Sequence, residues 1–575
     1  MKRTSLFLGG CVALCAYGST RTVAFTATST TTAITTSSVY RRQRNTTPNP
    51  FHSVHSNKHP YSQLAQATGQ QSSPQERAYR SLSSLWSTID DQATTLSTAV
   101  DKAGSDLAKT CRVEIGKSST SRLGLIAKQR IKKGDAIVAM AYEDSYVLTG
   151  SLARKTVLKD YLPEDYEGWT GDAGLIALLI LNEVAKASDG GKLGIAQPKR
   201  NADIDAFMRS WVSSLPSPEE LKQDHPLMWP ESDQEVLQSS STTKIYQSLD
   251  DLEEDATWLK ERVWEKDRDT AFPETVSWNG QTIPCYTVEG YKWAMALANS
   301  RSVFVDGALR LIPLMDFCNH NDKAKEVESA FLGAFGTLKG AQIVASKDYE
   351  AGEEVFCSYG PKSGAEYLLD HGFCPPQVWR TAVSELTFEI EQDDRFYDDK
   401  IDILEFETYD LKPMDPVQTF DVVSGPGQDG EPDPALLQFV RLCKLGGTDA
   451  FLLESIFRSD VWGFMSLPVS EMNEDATINT IIGVCKKALD EMDRCPEGGP
   501  EVCAKLRESE AKALKRTTEF LQREKEALDL KEYYQQRRLK DLGLDSEWVP
   551  DDDDLDSDTL GFGQTRLPGG ADYDW

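Results

Sequence analysis

Two segments about forty residues apart constrain this chain more than anything else in it. Residues 311–320 read LIPLMDFCNH, an apolar run that stops at Asn319 and His320. Residues 352–373 read GEEVFCSYGPKSGAEYLLDHGF, which carries Tyr359-Gly360 after a short β-rich run. An Asn-His pair directly after an apolar strand must find hydrogen-bond partners or reach water. The fold therefore has to bring polar groups to that strand end. With 575 residues the chain can bury more than one core, and two or three domains are expected.

The charge distribution excludes one class of partner. No Asp or Glu precedes Glu76, and residues 76–575 carry 55 basic against 91 acidic side chains, a net charge of −36. Such a body repels phosphate backbones and shows no overriding basic stripe, which argues against nucleic-acid binding. A basic protein segment or a cationic cofactor suits it better. The eleven cysteines are odd in number, irregularly spaced and without CxxC pairs, so reduced thiols are expected rather than a disulfide framework or zinc ribbon. Cys374 is followed by Pro375-Pro376 with no further cysteine nearby, and no structural metal is expected.

The first 75 residues read as an address. Lys2 and Arg3 precede an apolar run from Leu6 to Tyr17, too short to span a membrane, with Val23-Ala24 as a cleavage site before Phe25. Ser, Thr and Gln then dominate to about Pro74, with Arg41, Arg42 and Arg44 and no acid, which is transit-peptide composition. A signal peptide joined to a transit peptide with Phe at the junction resembles the bipartite plastid presequence of algae with red-lineage secondary plastids. A secreted protein with a Ser/Thr stalk is the alternative, against which the unpaired cysteines weigh.

Residues 76–110 show Leu82, Leu85, Trp86 and Ile89 at helical spacing, a lead-in to the domain or a helix on its edge. Strand patterns follow at CRVEI from Cys111, LGLIA at 123–127 and AIVAMAY at 136–142. About 160–284 reads helical, with a buried run at Leu175–Leu181 and with Trp211, Leu215 and PLMW at 226–229. LTFEI at 386–390 is strand-like and precedes a Gly/Pro/Asp-rich loop at 424–434. Ile478, Ile481, Ile482, Cys485, Ala488, Leu489 and Met492 then hold one helix face. Leu514, Leu521 and Leu528 continue in a charged helix to about Leu539, and Asp551–Asp558 opens a disordered acidic tail.

The two opening segments resemble the signature of SET-domain protein methyltransferases. SRSVF at 300–304, the helical insertion and REKEALDL at 523–530 are similar to the subgroup of the Rubisco large-subunit lysine methyltransferase, whose relatives include actin-histidine methyltransferases. The resemblance covers roughly residues 110–545. It implies an α+β chain: a β-rich SET fold with a pseudoknot, a rare exception to unthreaded chains, and a helical insertion, then an all-α domain that docks the protein substrate. The expected domains are 76–110 as lead-in, 111–374 as SET with its insertion at about 160–284, 380–545 as substrate-binding domain, and 546–575 as tail.

By the same resemblance the cofactor is S-adenosylmethionine and the substrate group a protein lysine. Tyr359 is implied to be catalytic, its hydroxyl directed at the transferred methyl and the incoming nitrogen, where oxygens can make weak CH···O contacts. Ser121, Leu123, Arg301, Asn319 and His320 are implied to bind the cofactor. Ser300, Arg301 and Asp316 are implied to line the lysine and methyl site, partly through backbone carbonyls. Arg301 and Asp316 also read as the two halves of a salt bridge.

Three positions depart from the subgroup pattern. Arg122 stands where Gly precedes LGL, which would strain the loop if positive φ is needed there. Gly364 replaces an Asn. His371 occupies an aromatic or small position before Gly372-Phe373, and either lines the lysine channel or is an ordinary turn histidine. A lysine of ordinary pKa near 10.4 must lose its proton at a stromal pH of roughly 8, which costs about 3 kcal/mol unaided. Burial beside a cationic cofactor lowers that cost. Histidine methylation is the enzymatic alternative. A non-catalytic SET-derived binding module and an acidic helical adaptor are the others.

Overall fold

The computed structural model describes residues 74–544 apart from 164–165, 167, 169, 189–191, 196–199, 238–240, 243, 334, 408–414 and 497. The expected presequence through residue 73 and the expected tail at 546–575 lie outside the described residues. The chain divides into two compact units. The first comprises the residues through Leu237, Thr242–Val378 and Pro496–Cys503, and the second Gln238–Ser241, Trp379–Cys495 and the residues from Ala504 on.

The first unit is built on two four-stranded sheets. LGLIA forms the strand Leu123–Ala127, antiparallel to Val113–Lys117 on one side and to Glu354–Cys357 on the other. Its alternate residues are nearly all buried, so it serves as a central strand rather than an edge. In the second sheet Ala136–Ala141 lies between Thr110–Cys111 and Leu338–Val344, and Glu328–Leu332 closes the far edge. The Pro74–Leu107 helix, interrupted at Gly104, lies against this framework: Ser97 Oγ donates to Ile115 O at 3.0 Å and accepts Ile115 N–H at 2.9 Å, and Leu96 is fully buried.

The interval 160–284 folds as helices Gly171–Ala187, Ala202–Ser214, Pro218–Asp224 and Lys244–Arg262 and the hairpin Thr275–Trp278 and Gln281–Pro284, and the helix Val288–Arg301 follows it. The apolar run in Gly171–Ala187 is hydrophobic around most of its circumference and buried from Gly174 to Ala185, as a central helix must be. Asp255, fully buried, accepts from Tyr166 Oη at 2.7 Å, Thr170 N at 3.1 Å and Tyr291 Oη at 3.3 Å, so its carboxylate is held entirely by neutral donors.

His225 pins the insertion to the helix Gly364–His371. Its Nε2–H donates to Asp370 O at 3.2 Å and its Nδ1 accepts Leu227 N–H at 3.3 Å. Gly372 then closes the helix in the left-handed conformation, φ 78°, with room for a Cβ denied by Asp224 O at 2.5 Å.

The second unit is mainly helical: Tyr397–Glu407, Pro434–Cys443, Val461–Met465, Glu471–Asp493 and the residues from Ala504 to Glu526 of a longer helix. The stripe Ile478, Ile481, Ile482, Cys485, Ala488 and Met492 enters one core with Phe439, Leu452 and Leu521. An all-α description leaves out a three-stranded antiparallel sheet of Ala382–Glu389, Val417–Gly425 and Gln428–Asp429. LTFE of that run thus belongs to an eight-residue strand with alternating burial, and the start of the Gly/Pro loop is the hairpin turn between Val417–Gly425 and Gln428–Asp429. The charged helix also stops earlier than its periodicity suggests: Leu528 turns into the core, Leu528–Leu530 is a 3₁₀ turn, and Tyr534–Asp541 is a separate helix.

A buried ion pair fixes this unit. Arg441 Nε and Nη2 lie 2.7 and 2.9 Å from the two Glu474 oxygens, and Lys531 approaches at 3.3 Å. Burial works to raise the Glu474 pKa, yet the Arg441 hydrogen bonds, with Lys531, hold it below its ordinary value. Glu474→Ala should therefore destabilise the unit by about 3–5 kcal/mol because Arg441 stays buried without its partner. Replacing both, Arg441→Met with Glu474→Leu, should cost far less. Urea midpoints that fall equally for the two would refute the ion-pair argument.

Acid sensitivity follows from His225, whose pKa burial lowers from 6.5 to about 4. The unfolded chain binds this proton first, so its contribution is complete above pH 6.5 and is lost as pH falls towards 4. The His225→Phe unfolding midpoint should accordingly change less steeply than wild type between pH 7 and pH 4.5. Parallel curves would show that His225 carries none of the acid lability.

Candidate active site

The site rests on a two-residue strand. Asn319–His320 runs parallel to Glu354–Cys357, with Asn319 opposite Phe356 and His320 opposite Cys357. The next backbone bonds, Asn321 N to Cys357 O at 2.9 Å and Ser358 N to Lys325 O at 2.9 Å, extend the pairing. Tyr359 then crosses this segment. Its N–H donates to His320 Nδ1 at 3.2 Å, and its hydroxyl donates to Cys318 O at 3.0 Å. This crossing is the pseudoknot the family resemblance implies.

LIPLM itself is not a strand. Ala308–Leu311 is the strand; Pro313, which has no N–H for a ladder, ends the extended run, and Leu314 follows at φ 85°, ψ −52°. This fully buried leucine holds a conformation that costs a residue of its type about 1–3 kcal/mol. The turn it makes delivers Met315–Phe317, and with it the Asp316 carboxylate, inward.

Among the residues expected at the cofactor, Asn319 is the hub. Its Nδ2 lies 2.8 Å from Glu354 Oε1 and 3.1 Å from both Ser118 Oγ and Leu123 O, while its Oδ1 lies 3.0 Å from Ser121 Oγ. Glu354 also accepts from Ser118 Oγ at 2.7 Å and Ser119 N at 3.1 Å. A Cβ on Gly124 would meet Glu354 Oε1 at 2.5 Å and Asn319 Nδ2 at 3.0 Å, so glycine is required for this approach. Ser121, Leu123 and Asn319 are thus joined in one wall, with their side-chain groups and the Leu123 carbonyl bonded to one another. His320 is half-buried and neutral, since burial lowers its pKa, and its Nε2 sits 2.8 Å from the Gln377 amide.

The residues expected at the lysine side also converge. Arg301 ends the Val288–Arg301 helix, and its guanidinium lies 2.8 Å from Asp316 Oδ2 and over the Phe317 ring. The salt-bridge reading of this pair is what its side chains do. Trp211 Nε1, from the insertion, donates to the same Asp316 oxygen at 3.0 Å. Burial raises the Asp316 pKa, opposed by Arg301, and Asp316 Oδ1 is buried with no hydrogen-bond partner.

His371 lies against Tyr359, with ring centroids 4.7 Å apart, and Tyr367 and Phe373 complete an aromatic cluster around it. Burial, helped by Lys362, lowers its pKa to about 4. Burial likewise raises that of the Tyr359 phenol, which is therefore neutral. His371 thus sits at its helix end among the rings of Tyr359, Tyr367 and Phe373.

Arg122 carries no left-handed strain: the non-glycine residues with positive φ among those described are Asn279, Asp306 and Leu314. Its guanidinium instead reaches Gln92 Oε1 at 3.1 Å and Glu220 at 3.2 Å, joining the lead-in helix to the insertion. Gly364 is the first helical residue after the Ser363 cap, where Glu366 closes a capping box. Sequence reasoning missed Glu354, Trp211, Tyr367 and Gln377 as members of the site. Glu354 had one signal, a charged residue opening an otherwise apolar strand, whereas Trp211 read only as insertion core.

The donor set suits a cationic methyl donor and an amine. Asp316 Oδ1 and His371 Nε2 are buried acceptors with no hydrogen-bond partner among the described residues, and the cations near them, Arg301 and Lys362, are already paired with Asp316 and Asp370. A sulfonium supplies the missing positive charge, and an amine the missing N–H.

The chain matches the SET domain model over residues 122–360 and the Rubisco LSMT substrate-binding model over residues 391–539. It is 37% identical over 287 residues to the chloroplastic fructose-bisphosphate aldolase-lysine N-methyltransferase of Arabidopsis thaliana, a match covering 45% of this chain and 56% of that protein. It is 33% identical over 342 residues to the chloroplastic Rubisco large subunit N-methyltransferase of Nicotiana tabacum, covering 54% of this chain and 67% of the relative. The actin-histidine N-methyltransferase of Rhinolophus ferrumequinum matches more distantly, at 24% over 212 residues, 35% of this chain and 32% of that one. A crystal structure of the SET domain of LSMT bound to lysine and AdoHcy superposes with a TM-score of 0.62 at 25% identity, over 80% of this chain and 97% of that chain. The crossing of Tyr359 over Asn319–His320 and these matches lead to one conclusion: the chain belongs to the SET-domain protein-lysine N-methyltransferases that carry a Rubisco LSMT substrate-binding domain.

Proposed function

We propose that this chain methylates a lysine of a plastid protein, with the Rubisco large subunit and fructose-bisphosphate aldolase as the first candidates. The observation that carries the reading is the Tyr359 hydroxyl, anchored on Cys318 O beside two buried acceptors that lack donors. The chloroplastic names of the similar enzymes and the presequence composition support the compartment. The similar actin-histidine enzymes match a smaller part of the chain at lower identity.

S-adenosylmethionine, when bound, supplies the electrophilic methyl. Ser121, Leu123, Asn319 and His320 form the wall that would hold it, with Arg301 at the border to the lysine side. Because the Tyr359 hydrogen is given to Cys318 O, the lone pairs of its oxygen are free to meet a polarised methyl or an amine N–H. Burial in this aromatic cluster disfavours the ammonium form of an incoming lysine and so helps it arrive without its proton. The rest of the barrier is a matter of alignment: the nitrogen lone pair must lie in line with the bond being broken. The second unit, with the substrate-binding match, docks the protein that carries the lysine. The net negative charge favours a basic segment there.

The test is methyl transfer from labelled S-adenosylmethionine into purified Rubisco large subunit and aldolase, with Tyr359→Phe alongside. The variant should lose about 100-fold or more in kcat, the scale for removing one group placed for the transition state, while S-adenosylhomocysteine affinity changes less than about threefold. Unchanged transfer by the variant would remove Tyr359 from the reaction. Peptide mapping of the labelled product should return methyl-lysine, and methyl-histidine would replace the lysine reading with its rival.

A further inference from the structure

The Ser300 carbonyl, which family likeness assigns to the lysine side of the site, is already occupied by this chain's own side chain. His371 Nδ1 lies 3.2 Å from it. A carbonyl can only accept, so the proton sits on Nδ1 and the neutral ring presents Nε2 as a bare acceptor. That nitrogen is buried and has no partner among the described residues. Buried acceptors are rarely left so in a finished site.

The ring is not free to turn away. Its helix end is held by His225 through Asp370 O at 3.2 Å, by the Lys362–Asp370 ion pair and by the left-handed Gly372 packed on Asp224. Tyr359, Tyr367 and Phe373 enclose it, at centroid distances of 4.7, 5.9 and 6.2 Å. These, the charges of Lys362 and Asp370, and His225 are the groups that act on the imidazole from its neighbouring elements.

We propose that His371 relays the acceptor role of the Ser300 carbonyl into the site, with Nε2 receiving an N–H of the substrate amine beside the Tyr359 hydroxyl. This rests on the lysine methyltransferase reading. The relay keeps the nitrogen lone pair out of hydrogen bonding, because the amine is held through its hydrogens, and so leaves it directed at the methyl. A carbonyl bonded to Nδ1–H polarises the ring and makes Nε2 the stronger acceptor. The alternative is purely structural: His371 merely ties down Ser300 at the end of its helix.

Two substitutions separate these roles. His371→Asn places an amide N–H where Nδ1 stood and keeps the Ser300 tether, but has nothing at the Nε2 position. His371→Gln can carry its carbonyl oxygen to the Nε2 position and gives up the tether. The full chain, saturated with S-adenosylhomocysteine, is titrated with L-lysine, and kcat and KM for methyl transfer are measured on the same variants.

With the relay, His371→Asn weakens lysine about tenfold or more at an unchanged melting temperature, the loss of one hydrogen bond to a buried amine, while His371→Gln stays within about threefold of wild type. The reverse order, with Asn intact and Gln impaired, overturns the relay in favour of the tether, as do equal losses in both or no measurable lysine binding by wild type. Should lysine bind with the predicted order while no protein accepts a methyl, the relay stands and the functional reading falls.

Discussion

Everything at this site depends on a pairing of two residues. Asn319 and His320 form one of the shortest strands in the molecule, yet their parallel pairing with Glu354–Cys357 joins parts of the chain that are otherwise separated by the Glu328–Val344 hairpin. Two backbone steps are too few to be stable alone, since each intramolecular hydrogen bond nets only about 0.5–1.5 kcal/mol. The side chains make up the difference. Asn319 ties the pairing to the 118–123 loop through Glu354, and His320 ties it to the backbone of Tyr359. The Ser121, Leu123 and Asn319 wall and the position of Tyr359 are therefore consequences of the same knot, and neither can be moved without the other.

The electrostatic character of the site follows from what the knot buries. Asp316 enters the interior with one cation, Arg301, and one neutral donor, Trp211, both on the same oxygen. Its other oxygen and His371 Nε2 remain without donors, while His320 and His371 are kept neutral by burial. Buried acceptors without donors are costly and favour ligands that bring positive charge or N–H groups.

Much of this was readable from the residues. The LGLIA strand, the buried Leu175–Leu181 helix and the Ile478–Met492 stripe were fixed by periodicity, because each element's burial pattern is uninterrupted along its length. The site set Ser300, Arg301, Asp316, Tyr359 and His371 was readable only through family likeness, since no local pattern announces that residues sixty or seventy positions apart will meet. What escaped was of two kinds. Glu354 and Trp211 act through long-range contacts from segments whose own patterns look like plain strand and plain core. The breaks at Leu314 and after Glu526 come from tertiary demand: a backbone turn that delivers Asp316, and a leucine drawn into a core, each overriding a run that local periodicity would have continued.

The same excess of acceptors bears on which nucleophile the site can use. A neutral lysine amine has two N–H bonds and a lone pair on one nitrogen, so that nitrogen can satisfy acceptors and attack at once. A histidine substrate divides these tasks: its attacking nitrogen carries no hydrogen, and its single N–H lies on the far side of the ring. An acceptor at the reacting nitrogen, the place proposed for His371 Nε2, would face the attacking lone pair of an imidazole, which repels it, but the hydrogens of an amine, which it holds. The neutral state of His371 sharpens the distinction, since an imidazolium there would offer a donor to the attacking nitrogen and compete for its lone pair. Burial, by removing that proton, would with the proposed His371 role make lysine the better matched substrate for a chain similar in sequence to methylators of both residues.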